Sequence, residues 1–566
     1  MLLLNPKNPD YSDLDEKSRA LLKKVIDFFE NKGLKKLKHD DHERVWYQDF
    51  ADFIKKEKIF SVLMTPKGYG ASDSRWDSYR NCMFSEITGF YGLAYWYIWQ
   101  VSMLGLGPIW MSKNEKIKNK TAKLLEEGGI FAFGLSEKEH GADLISSDMM
   151  VFPKGEGKYI ANGDKYYIGN ANKAALVSTF GKLDGTGDFM FFAVESSHKN
   201  YECIQNVTNS QNYVGEYALH DYPLTEDDIL SKGREAWDAS LATIAFCKYN
   251  LGWASIGMCT HALYESIDHA ANRNIFNQHV TDFPHIQKLF VEAYSRLVSM
   301  RFFTIRSSDY MRNSSVDDRR YLLFNPMVKV KVTMQGEEVI NCIWDVVAAK
   351  GFEKNMFFEM AARDIRALPK LEGTAHINMM LVTNFIQTYL FESKNYPELP
   401  KRNDFSDDSF IFNQGSTTKG LKKIQFHDYK SVYDSVDSPN LKIFKEQIEA
   451  FKYFLTDSPL DKLQSRDIDF MLSLGEAFCL IPYGQLIIEN SKFEKLDKDL
   501  LDQIFEYLVK DFSKYIIQVY SKSSTTPKQM ENCLKIIKKP FTDDSRFERV
   551  WKNHVFSLKD KYKMNP

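Results

Sequence analysis

Glu372 is the side chain whose type and setting best suit chemistry. It lies in the run Arg363-Asp364-Ile365-Arg366-Ala367-Leu368-Pro369-Lys370-Leu371-Glu372-Gly373-Thr374-Ala375-His376-Ile377-Asn378. Proline locks its own φ and has no amide hydrogen, so Pro369 is expected to stop the helix that carries Arg363 and Asp364. Thr374 is placed to cap a new helix, whose apolar stripe would be Ile377, Met380, Leu381 and Phe385. Glu372 then sits on a short link between two helices, flanked by apolar Leu371 and flexible Gly373. Partial removal from water raises a carboxylate pKa toward working pH. A general base that takes a weakly acidic C–H proton needs that property. The same residues also admit a plainer reading, a solvated loop glutamate.

The elements that would position this link follow from the rest of the chain. With 566 residues the chain is long enough for several domains and a large core. Its 74 basic and 76 acidic residues leave a net charge of −2, which gives no electrostatic reason to expect nucleic acid as a partner. The seven cysteines are scattered and show no zinc-like spacing, so reduced thiols in a cytoplasmic compartment are expected. The apolar run at the N-terminus is too short for a signal peptide. Residues 87–111 lack a charged side chain, but Gly89, Gly92, Gly105, Gly107, Pro108 and Gln100 interrupt them. They are expected to form a buried helix over 87–103 and then a loop, with no transmembrane segment.

Helical periodicity covers 14–57, 76–103 and 114–127. The pattern changes at Gly128 to short apolar runs between glycine-rich turns, which predicts a compact β domain. Long helices are then expected at 236–273, 284–312, 327–350 and 375–392. The expected organisation is an N-terminal helical domain (1–128), a middle β domain (129–234), a C-terminal helical bundle (235–395), a linker or wrap (396–439) and a helical extension (440–566). In the extension Leu500, Leu501, Ile504, Phe505, Leu508, Phe512, Tyr515, Ile516 and Val519 form one stripe. Packing within the module would cover it; a subunit interface is the reading preferred on sequence.

Leu371-Glu372-Gly373-Thr374 resembles the Tyr-Glu-Gly-Thr segment of the acyl-CoA dehydrogenases, and Arg363-Asp364 stands where that family has an Arg-Asp pair. Phe131-Ala-Phe-Gly-Leu-Ser-Glu-Lys-Glu-His-Gly-Ala-Asp143 resembles the family's strand and Thr/Ser-Glu-x-x-x-Gly-Ser-Asp signature. Gly163-Asp-Lys-Tyr-Tyr-Ile-Gly-Asn170 is similar to Gly-x-Lys-x-Trp-Ile-Thr-Asn. Arg273-Asn-Ile-Phe276, with Gln287 downstream, resembles Arg-x-x-Phe-Gly and its glutamine. Asp345-Val-Val-Ala-Ala-Lys-Gly351-Phe352 stands where the family has Gln-x-x-Gly-Gly-x-Gly-Phe.

The resemblance spans roughly 15–395. It implies a mostly α fold with a central β-barrel domain, a four-helix bundle after it, and a long-chain-type helical extension. It implies FAD as cofactor, with Phe133, Leu135 and Ser136 at the flavin edge and Tyr167 in place of the stacking tryptophan. Gly169, Arg273, Phe276, Gln287, Asp345, Ala349, Thr374 and His376 match further cofactor positions. Ala142, Lys248 and Gly373 match substrate positions. Ala142, Asp345, Ala348, Ala349 and His376 depart from the family's residue types. Cys247 occupies the alternative base position, which leaves Glu372 as the implied base. The implied reaction converts a medium- to long-chain acyl-CoA to a trans-2-enoyl-CoA in a homodimer, with electrons passing to an electron-transferring flavoprotein. An acyl-CoA oxidase and a non-catalytic scaffold of the same fold are the alternatives.

Overall fold

The computed structural model describes residues 2–402 and 404–566. Met1 and Asn403, which fall in the expected N-terminal domain and linker, lie outside the described residues. The chain forms two compact units. One comprises residues 10–250, 404–419 and 564–566; the other comprises 2–9, 251–402 and 420–563.

The first unit joins helices to a sheet. Its helices include Glu16–His42, Gln48–Lys56, Ser78–Tyr91, Leu93–Met111 and Glu115–Glu126. Eight strands follow: β1 (Ile130–Gly134), β2 (Met150–Pro153), β3 (Lys158–Gly169), β4 (Ala174–Leu183), β5 (Phe189–Val194), β6 (Tyr201–Asn206), β7 (Val214–Thr225) and β8 (Ile229–Lys232). They form one sheet in the order β6-β7-β3-β2-β4-β5-β8, with β1 pairing parallel to β4. The apolar helix departs from expectation. Gly92, at φ 153°, ends the first helix, and a second runs through Gly105, Gly107 and Pro108 to Met111. Close packing explains those two glycines. A Cβ at Gly105 would lie 2.6 Å from the Ala132 carbonyl oxygen of β1, and one at Gly107 would lie 2.5 Å from Thr243 Oγ1. The helix is anchored where Ser178 Oγ donates to the Gly105 carbonyl at 2.6 Å and the Phe131 amide donates to Ser102 Oγ at 3.2 Å.

The second unit is helical. Pro284–Arg312 starts on its proline, as the sequence predicts. The expected 327–350 helix begins earlier, at Tyr321, and passes through a π turn at Val328–Val332 before continuing as Thr333–Val347. The expected 375–392 helix is two helices, Ala375–Thr383 and Ile386–Phe391. In the first, Asn378, Met379 and Val382 are the buried positions, whereas Ile377 is 42% exposed. Helix Ile468–Ser491 sets that orientation, because its Gly475 brings Met379 and Thr383 against its backbone. Ile377, Met380 and Leu381 instead line a cavity of about 1160 Å³ with Phe391, Leu455 and Met471.

The stripe from Leu500 to Val519 is not an interface. It lies on Lys498–Tyr520 and is buried against Pro439–Asp457, Ile468–Ser491 and Pro284–Arg312 of the same unit. Among the described residues Ile468–Ser491 is the one helix long and apolar enough to cross a membrane, and 83% of its apolar window is buried inside the protein.

A buried ionic cluster ties the extension to the long helix. Glu489 accepts from Arg306 Nε at 2.8 Å, Gln485 Nε2 at 2.7 Å, His427 Nε2 at 3.0 Å and the Tyr310 hydroxyl at 3.1 Å. Burial works to raise the Glu489 carboxyl, but the His427 hydrogen bond and the Arg306 charge outweigh it and hold it at about 2.

Candidate active site

In the second unit, the helix Phe357–Asp364 ends five residues before Pro369, and turns carry the chain onward. Glu372 has φ 53° and Gly373 φ 82°, so two successive residues take the left-handed conformation. For glutamate that conformation costs on the order of 1 kcal/mol, so surrounding contacts must impose it. Two are evident beyond the link. Thr374 caps Ala375–Thr383 by accepting from the Ile377 amide at 3.4 Å. The Asn378 side-chain amide donates to the carbonyls of Gly373 at 3.1 Å and Thr374 at 3.0 Å. Glu372 is half-buried, and its Oε2 atom is shielded from solvent. Thr374 and His376 are exposed beside it.

Other candidates of this unit lie on separate elements. Arg273 precedes a hairpin, Asn274–Ile275 with Gln278–His279. Phe276 and Asn277 turn it at φ 52° and 62°, which leaves the Phe276 ring 87% exposed at the tip. Gln287 donates to the Thr281 carbonyl at 2.9 Å and fixes the start of the long helix. Asp345 and Ala349 are exposed at the end of Thr333–Val347. Ala348 has φ 57° and ψ −140°, a conformation suited to the glycine expected there. Gly351 has no room for a side chain, since a Cβ would lie 2.9 Å from Trp344 Nε1. Burial pushes His269 down, and the Lys350 and Arg273 charges add to the effect, which places both cations near that ring. Lys350 was not singled out from sequence.

In the first unit, β1 delivers Phe133 and the loop 135–143. The Ser136 hydroxyl donates to the Tyr166 carbonyl at 2.8 Å, and the Tyr166 amide returns to the Ser136 carbonyl at 3.0 Å. The Leu135 amide donates to the Phe133 carbonyl at 3.1 Å, and the Leu135 carbonyl accepts from Lys165 Nζ at 3.1 Å. In this structure the Leu135 backbone and the Ser136 hydroxyl are bonded to neighbouring backbone and to Lys165.

Lys165 and Glu137 are the residues that sequence reasoning passed over. Glu137 accepts from Lys165 Nζ at 2.6 Å, Ser147 Oγ at 2.6 Å and the Asp148 amide at 2.7 Å. Burial opposes ionisation of Glu137, but the Lys165 charge and these donors hold its carboxyl below the usual range. Burial pushes Lys165 down to about 8, against the pull of Glu137. Both stand in the two quoted motifs, Glu137 directly after Ser136 and Lys165 two residues after Gly163, and a buried lysine must be paired.

Tyr166 and Tyr167 occupy a register shift between β3 and β7. At φ 69° the Tyr167 ring turns out of the sheet and is 47% exposed. Such a bulge re-aims a side chain. Gly169 is a packing position: a Cβ would lie 2.6 Å from Val101 Cγ2 and 2.7 Å from Tyr97 Cε1. Ala142 is exposed in the 135–143 loop. Lys248 is buried at the junction of Gly233–Cys247 with Tyr249–Asn272.

A small β domain among long helices, with a carboxylate on an inter-helix link, defines the class as an acyl-CoA dehydrogenase-type fold. Residues 236–387 match the family Acyl-CoA dehydrogenase, C-terminal domain. The fold is shared with the crystal structure of an acyl-CoA dehydrogenase complexed with FAD from Bacillus anthracis, at TM-score 0.74 and 16% identity, over 98% of this chain and 97% of that one. The helical extension is thus part of the shared fold. The caffeyl-CoA reductase-Etf complex subunit CarC of Acetobacterium woodii is 22% identical over 380 residues, 66% of this chain and 98% of that protein. The short-chain-specific acyl-CoA dehydrogenase of Megasphaera elsdenii is 23% identical over 303 residues, 50% of this chain and 78% of that protein.

Proposed function

We propose that this chain is an FAD-dependent acyl-CoA dehydrogenase acting on a medium- to long-chain thioester, with Glu372 as the base. The observation that carries this reading is the Glu372 link, a carboxylate in a left-handed conformation with one oxygen shielded from water, held between two helices of the matching domain. An exposed aromatic ring at Tyr167 suits stacking on a flat ring system. The Arg273 guanidinium, with Lys350 near the same histidine, suits a pyrophosphate. An aromatic face and a guanidinium are groups that would suit the ring and the pyrophosphate of FAD. Bound FAD supplies the hydride acceptor.

The chain's own part is to hold the thioester and move a proton. Glu372 takes the α-proton onto its carboxylate. Gly373 allows close approach of the ester, and Lys248, Ala142 and the Leu93–Met111 helix belong to the substrate side. Thr374, His376, Phe276, Gln287, Asp345, Ala349, Phe133 and Gly169 fall around the cofactor by the same reading. Phe276 at an exposed hairpin tip supports a homodimer in which a partner copy covers it. Seven free cysteines are compatible with a cytoplasmic location.

The electron acceptor is an electron-transferring flavoprotein, supported by the Etf in the name of the Acetobacterium relative. That name also favours a second reading, reduction of an enoyl-CoA by the same residues run in reverse. Anaerobic titration of the purified yellow protein with acyl-CoAs of increasing length tests the proposal. Bleaching of the flavin band by saturated thioesters supports it. Bleaching by none of them, with reoxidation of reduced protein by enoyl-CoAs, selects the second reading. A colourless protein that binds no FAD removes both.

A further inference from the structure

The π turn at Val328–Val332 is buried at every residue. Val328, Val330 and Val332 are at most 1% exposed, and Lys329 is wholly buried among them. An apolar residue would be cheaper there, because an ammonium removed from water loses several kcal/mol of hydration unless partnered. Lys329 Nζ donates to the backbone carbonyl of Leu368 at 2.9 Å, thirty-nine residues away. Leu368 is itself fully buried and stands four residues before Glu372, next to Pro369. Pro326, two residues before the π turn, cannot donate to the helix ladder. One extra residue in a turn rotates everything after it by about 100° about the helix axis. Beyond the turn, Gly336 packs where a Cβ would meet Ser255 and Ile365 Cδ1, so the helix touches the segment leading to the link.

Asn378 grips the other end. It is fully buried, and its amide bonds the Gly373 and Thr374 carbonyls. The stretch that carries Glu372 is therefore pinned at Leu368 on one side and at Gly373–Thr374 on the other.

We infer that Lys329, aimed by the π turn, and Asn378 are positioning residues that clamp the Glu372 link and set the carboxylate for proton abstraction. The inference rests on the reading of Glu372 as base. Neither residue meets the thioester in this account; each acts through a backbone carbonyl of the link. A misplaced base loses on the order of 10- to 100-fold in rate for a displacement near 1 Å.

The test is exchange of the acyl-CoA α-proton with deuterated water on the holoenzyme, measured beside FAD content and acyl-CoA affinity. Lys329→Met keeps the length of the side chain and removes its donor. The expected result is an exchange rate about 10- to 100-fold lower, with FAD content and affinity within twofold of the parent. A merely structural lysine would instead lower FAD content, affinity and exchange together, which overturns the inference. So does an exchange rate within twofold of the parent. If Lys329→Met gives no soluble protein, Asn378→Ala carries the test through the other clamp, and the same split between exchange and binding is required. No exchange in the parent enzyme overturns the reading of Glu372 and the inference with it; intact exchange in the variants overturns the inference alone.

Discussion

Replacing Glu489 by glutamine perturbs the buried cluster that joins the extension to the long helix. The carboxylate receives four donors and is 5% exposed, and Arg306 opposite it is 2% exposed. Glu489→Gln keeps the shape and removes the charge. Breaking a buried pair from one side costs about 3–5 kcal/mol because the remaining charge is stranded. Arg306 keeps the Leu399 carbonyl at 2.6 Å and Asp309 at 3.1 Å, which places the cost at the lower end, about 3 kcal/mol. The Glu489 carboxyl is held at about 2, below its ordinary 4.5. A depressed acid stabilises the fold above its unfolded pKa and loses that contribution as pH falls through the folded one. The gap between parent and variant should therefore be full at pH 7 and shrink below about pH 4.5. Urea denaturation at a series of pH values reads both effects. A variant within about 0.5 kcal/mol of the parent at pH 7, or a gap that does not change on acidification, refutes the reasoning.

Ala348 occupies a conformation suited to glycine, so Ala348→Gly should raise stability by about 1 kcal/mol, seen as a higher melting temperature; a lower one would show that the alanine methyl packs usefully. Gly169→Thr restores the residue type of the resembling family but drives a side chain into Val101 and Tyr97, and should cost about 1–3 kcal/mol by chemical denaturation. An unchanged denaturation midpoint in that variant would mean the helix and β3 can separate freely.

The mostly helical fold with a central sheet was legible in periodicity, because Pro284, Gly128 and the alternating runs after it are local signals. What was not legible depended on distant partners. Arg306 and Glu489 are 183 residues apart, and no local pattern announces their pairing. The Leu500–Val519 stripe looked unpartnered because its helix packs against other helices of the same unit that are remote in sequence. The buried face of Ala375–Thr383 was misjudged since Gly475 admits Met379 and leaves Ile377 outside. At the candidate site, residue types singled out the Glu372 link and Tyr167, but the left-handed backbone at both positions has no sequence signature in a glutamate or a tyrosine. Lys165, Lys329 and Asn378 were equally silent, since each matters through a carbonyl or carboxylate remote in sequence.

The most direct measurement is the anaerobic absorption spectrum of Glu372→Gln mixed with an acyl-CoA that bleaches the parent protein. Glutamine keeps the size of the side chain and cannot take up the α-proton. The variant should retain FAD and bind the thioester, yet its flavin band should persist, with the rate of bleaching down at least about 10²-fold. Bleaching at the parental rate would contradict the assignment of Glu372 as the base.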